Sequence, residues 1–153
     1  MTSFPIRYFN DAAEIEHLGE GLLHCRLERS EWTHEAHLGA TLYLLVRRPD
    51  IDLDAELPGL IRRFNESVGG INDDTQGYHD TITRAFLHGV RLHLAAANGA
   101  EPLHRLANAL LDSPMGRRDW PLRFWSESVL FSVEARRGWV EPDRAPLPQP
   151  TGR

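Results

Sequence analysis

The chain has 153 residues, 17 basic against 22 acidic side chains for a net charge of −5, and 41% hydrophobic residues. That is the profile of one globular domain long enough to bury a core, and it excludes a disordered body. All 17 basic residues are arginines, which removes Schiff-base chemistry, a lysine-anchored pyridoxal and the phosphate-binding P-loop.

The arginines lie scattered among acids, so the clustered basic face that nucleic acid requires is missing. Cys25 is the lone cysteine and cannot form an internal disulfide. With no leader pattern at the N-terminus and no apolar run approaching about 18 residues, the expectation is a soluble, cytoplasmic protein away from membranes.

Asp11 and Glu14 have the spacing of a capping box, and Ile15, Leu18, Leu22 and Cys25 recur at helical intervals, which predicts a helix over 12–28. His17 and His24 fall opposite that stripe, on the solvated side. Ser30 or Thr33 caps a second helix from about 33 to Arg47, stopped before Pro49. Its LGATLYLLV stretch is apolar nearly all round, the mark of a helix buried among neighbours, and it leaves room for a helix-mediated homodimer.

Pro58 fits the first turn of a third helix, with Leu57, Leu60, Ile61, Phe64 and Val68 inward and Gly69-Gly70 as its end. Residues 69–77, GGINDDTQG, read as a polar loop able to move. The most regular pattern follows over about 78–98, where Ile82, Phe86, Val90, Leu94 and Ala97 keep one face apolar until Asn98-Gly99. This predicts the central helix.

Pro102 opens a fifth helix with Leu103, Leu106 and Leu110 inward, broken at Ser113-Pro114-Met115-Gly116. Pro121 opens a short helix with Leu122 and Trp125, and Ser132 caps a last turn or two in which Arg136 is paired to an acid. Four prolines in residues 141–153 predict an extended or disordered tail. No stretch alternates with period two, so the fold class is all-α: a bundle-like array of five or more helices over 1–140, with short loops.

Chemistry concentrates in Trp32-Thr33-His34-Glu35-Ala36-His37 and Tyr78-His79-Asp80-Thr81, both at helix starts. On a helical wheel Leu38, Thr41 and Leu45 lie within about 40° of His34, with His37 about 60° away, and His79 lines up with Phe86 and Val90. If the second, third and fourth helices alternate in direction, the two histidine-bearing starts share one end of the bundle.

Three inward imidazoles, His34, His37 and His79, are a sufficient shell for a divalent transition metal such as zinc, iron or nickel, with a position left open. Asp73, Asp74, Asp80, Glu35 and Glu127 are the carboxylates available to complete it. The expectation is therefore a small metal-dependent hydrolase or oxygenase acting on an anionic small molecule, with Thr33, Tyr78 and Thr83 lining the ligand site.

Two alternatives stand beside it. Helix N-termini carry partial positive charge, so the two starts alone can hold a carboxylate or phosphate without metal. The histidines can also be structural, in a non-catalytic helical binding or assembly module. Serine nucleophile elbows, dinucleotide glycine fingerprints and cysteine metal spacings are all missing.

Overall fold

The computed structural model describes residues 5–97 and 100–150. Among these the chain is all-helical, with seven α-helices and no strand: α1 (Ala12–His24), α2 (His34–Arg47), α3 (Leu53–Ser67), α4 (Asp80–Ala96), α5 (Leu103–Asp112), α6 (Glu127–Leu130) and α7 (Val133–Arg137). Short 3₁₀ turns occupy Arg29–Glu31, Pro114–Gly116 and Trp120–Arg123. The expected Asn98-Gly99 stop and the outermost residues of both termini, 1–4 and 151–153, lie outside the described residues. No helix among the described residues is long and apolar enough to cross a membrane.

Capping accounts for most of the boundaries. Asp11 accepts the Glu14 N–H to open α1, and Cys25 closes it in the left-handed region at φ 53°. Thr33 opens α2 by accepting from the Ala36 N–H, and Ser132 opens α7 by accepting from the Ala135 N–H.

The third helix differs from expectation. It starts at Leu53, capped by Asp52, so Pro58 sits inside the helix and not in its first turn. A proline has no N–H to give the carbonyl four residues back. Here the Arg84 Nη1–H supplies that bond instead, at 3.2 Å from Asp54 O.

The buried helix is α2, with a nearly continuous run of buried residues from Glu35 to Leu44 interrupted only at His37. It packs against α1, α4 and α5. Much of its apolar circumference is thus covered inside the chain, with Leu45 and Val46 half-buried. The expected central helix, α4, is less enclosed: Ile82, Phe86 and Leu94 are only partly buried, because the first two line a cavity.

A second apolar cluster gathers Trp120, Phe124, Trp125 and Leu130 beside the main core. Trp125 is fully buried and donates its indole N–H to Val140 O at 3.0 Å. The helix expected after Pro121 is a 3₁₀ turn ending at Arg123, and a separate α6 capped by Ser126 follows it. The Phe124 and Trp125 N–H groups both reach Pro121 O, at 3.0 Å each, so the turn closes there and does not propagate. Residues 141–150 form no helix, yet Asp143 accepts the Ser126 N–H and the Arg144 N–H reaches Phe124 O, so this segment is held on the domain.

Histidine side chains stitch the early helices to the later chain. His34 meets Gly116 O at 2.8 Å, His79 meets Leu130 O at 2.7 Å, His88 meets Pro148 O at 2.6 Å and His93 meets Leu106 O at 2.9 Å, each through Nε2. A carbonyl only accepts, so each of these rings carries its proton on Nε2.

Candidate functional site

The starts of α2 and α4 open onto one cavity of about 460 Å³. His34, His37, Leu38 and Thr41 line it from α2, and Ile82, Thr83 and Phe86 from α4, with Tyr78 and His79 just before that helix. The two histidine-bearing starts do share one end of the bundle. Trp32, Leu57 and Ile61 supply further apolar wall, and Arg118, whose side chain is exposed, stands at the rim.

The three histidines play three different parts. His79 is the N-cap of α4: Nδ1 accepts the Ile82 N–H at 3.1 Å while the Nε2–H donates to Leu130 O. Both nitrogens are spent on the fold, so this ring has no lone pair left for a cation. Burial pushes its pKa below the ordinary histidine value, against the opposing pull of the Leu130 bond.

His34 is half committed. Its Nε2–H is bound to Gly116 O, which leaves Nδ1 as an acceptor with no hydrogen-bond partner among the described residues. Burial lowers its pKa and nearby Arg118 adds to that, while the Gly116 bond works the other way. His37 makes no side-chain hydrogen bond among the described residues. It stacks on Trp32 with ring centroids 4.0 Å apart, and burial, with His34 close by, takes its pKa down to about 3.

At neutral pH the cavity therefore presents uncharged imidazoles. Among the described residues no group of three or more His, Cys, Asp or Glu is arranged to hold a metal ion. The three histidines expected as a metal shell are not arranged as one here, since His79 Nδ1 caps α4 and its Nε2–H is held by Leu130 O.

Three of the five expected carboxylates are engaged elsewhere. Asp73 caps its own loop, Asp74 pairs with Arg137, and Asp80 accepts from the Tyr78 hydroxyl at 2.7 Å and from Arg84 Nε at 2.8 Å. Glu127 lies in the first turn of α6. Glu35 is buried, with Arg118 Nη2 at 3.9 Å and Oε1 lacking a hydrogen-bond partner.

No protein-family model, curated protein or solved structure matches the chain. What the site can do is thus read from its own atoms.

Of the residues expected to line a ligand site, Tyr78 and Thr83 are on the wall and Thr33 is not, because its hydroxyl caps α2. Tyr78 is buried under Arg62, which lies 4.7 Å from the ring centroid; burial and the Asp80 bond raise its pKa and keep the phenol protonated. The helix-start field is answered from within as well. Thr33 and His79 cap the two starts, and Glu35 and Asp80 put a buried acid in each first turn.

Residues 69–77, expected to move, are largely exposed and bond to the end of α3 through Asn72. Asn72 accepts from Asn65 Nδ2 and the Tyr78 N–H and donates to Arg62 O and Glu66 Oε2. Arg136 donates to Gly77 O and Tyr78 O instead of pairing with an acid, and the Arg137 beside it takes Asp74. Asn65, on the cavity wall, and Arg118, at its rim, carried no sequence signal: one lies on the polar edge of α3 and the other in a charged turn.

Proposed function

We propose that the protein binds a compact, largely apolar small molecule in the cavity between the starts of α2 and α4. The observation that carries this reading is His37, an uncharged imidazole on the cavity wall with no side-chain hydrogen bond among the described residues. Small-molecule pockets are mostly apolar with a few open polar groups on the wall, and His37 is such a group among Trp32, Leu38, Leu57 and Ile61. The volume falls within the range of small-molecule pockets, roughly 300–1,000 Å³.

Binding is favoured over acid–base catalysis by the same ring. A general base works best with a pKa near the operating pH, and His37, at about 3, is a weak base. The caps and acids at both helix starts favour an uncharged ligand over the anion expected from sequence.

The test is calorimetric titration of chelator-treated protein with indole. One site is expected, and Thr83→Trp, which fills the cavity, abolishes it. Equal indole binding by that variant overturns the cavity assignment. Indole binding that disappears on chelation and returns with zinc would instead support the three-histidine metal site.

A further inference from the structure

We propose that this cavity selects neutral aromatic molecules bearing a hydroxyl donor, phenols in chemical class, with His34 Nδ1 as the acceptor. The inference rests on the cavity being a ligand site and adds what the ligand must bring.

Donor polarity follows from a backbone carbonyl hydrogen-bonded to the ring. Gly116 O can only accept, so the His34 proton sits on Nε2 and Nδ1 presents a lone pair. That carbonyl cannot drift to suit another tautomer. A Cβ on Gly116 would collide with Leu110 O and Leu111 Cα, which shows how closely this turn is seated on the end of α5. Phe86 holds the ring from the side, edge-on at 5.3 Å between centroids. A ligand acceptor placed at Nδ1 would face lone pair against lone pair, and a donor is the group that fits.

Charge and shape narrow the class. A cation would pass Arg118 at the rim, and an anion would meet the lone pair of Nδ1 with the helix starts already answered by Glu35 and Asp80. Trp32 and Phe86 offer flat apolar faces to an aromatic ring. A phenolic hydroxyl has a pKa near 10, so it stays neutral at pH 7 while remaining a good donor.

The experiment titrates three probes, 2-naphthol, naphthalene and 2-naphthoate, into wild-type protein, His34→Phe and His37→Phe, with circular dichroism on each variant. In wild type 2-naphthol binds about fivefold tighter than naphthalene, the factor for a net hydrogen bond of about 1 kcal/mol, and 2-naphthoate binds more weakly than either. In His34→Phe that preference falls to about one while naphthalene still binds; in His37→Phe, which alters the cavity wall, both aromatics change affinity together and the preference persists.

Equal affinities for 2-naphthol and naphthalene in wild type overturn the donor assignment and leave the cavity standing. Preference for 2-naphthoate overturns the neutrality. Loss of the preference in His37→Phe moves the acceptor to the other imidazole and overturns the role of His34, including when His34→Phe does not fold. Failure of all three probes to bind overturns the ligand site itself.

Discussion

Two aromatic-rich regions of this molecule meet at Phe86 and have opposite polar arrangements. In the cluster around Trp120, Phe124 and Trp125 the rings pack edge-to-face, with centroids 5.1 Å and 6.5 Å apart, and the buried Trp125 indole N–H is bound to Val140 O. Around the cavity, Trp32 and His37 stack and Phe86 stands against His34, yet the His37 ring and His34 Nδ1 have no hydrogen-bond partner among the described residues. The first arrangement is what stability alone favours; the second leaves polar capacity unused, which a fold tolerates where a ligand supplies the remainder.

The sharpest way to break the comparison is Trp125→Ala, which removes a fully buried ring and is expected to cost about 3–5 kcal/mol by denaturant unfolding. A loss below about 1 kcal/mol would show that the cluster is not a second core. Next in size is the pH response. The folded pKa of His37 is about 3 and an unfolded histidine titrates near 6.5, so below 6.5 the unfolded state binds the extra proton.

The contribution of His37 is complete above pH 6.5 and is lost as pH falls from there toward 3. Between pH 7 and 5 this amounts to about 2 kcal/mol, with the burial-lowered His34 and His79 adding in the same direction. Unfolding curves at the two pH values in wild type and His37→Leu check it, and the variant shows the smaller drop.

His79→Ala is expected to cost about 1–2 kcal/mol, the usual range for a lost helix cap, with the Leu130 bond lost as well. His37→Leu at pH 7, by contrast, changes stability by less than about 1 kcal/mol in either direction, since no hydrogen bond is broken and a desolvated polar group is removed. Thermal unfolding of the pair side by side separates the structural imidazole from the open one; equal losses would erase the distinction.

Much of the site was legible in the sequence because helical periodicity dictates which side chains share a face. The wheel that put Leu38 and Thr41 beside His34, and Phe86 beside His79, names cavity-wall residues on both helices. What it could not show was the state of each ring. The carbonyls that claim His34 and His79 arrive from 82 and 51 residues further along the chain, so their capture is a tertiary event with no local pattern.

Pro58 was misplaced for a related reason. Its compensating donor, Arg84, belongs to the next helix, and a proline whose orphaned carbonyl is served from elsewhere can sit deeper than local rules allow. Thr33 shows the converse: its capping role was legible, and the cap itself removed it from the ligand site.

The four imidazole-to-carbonyl bonds have a spectroscopic consequence. A ring proton held on Nε2 by a carbonyl exchanges more slowly the better its bond is shielded from water, so the buried His79 bond and the part-buried His34 and His93 bonds each offer a nitrogen-bound proton for nuclear magnetic resonance. His34 and His79 line the cavity and His93 lies outside it. A molecule entering between α2 and α4 shifts the His34 signal first and leaves that of His93 in place, so the protein carries its own reporter and its own internal reference.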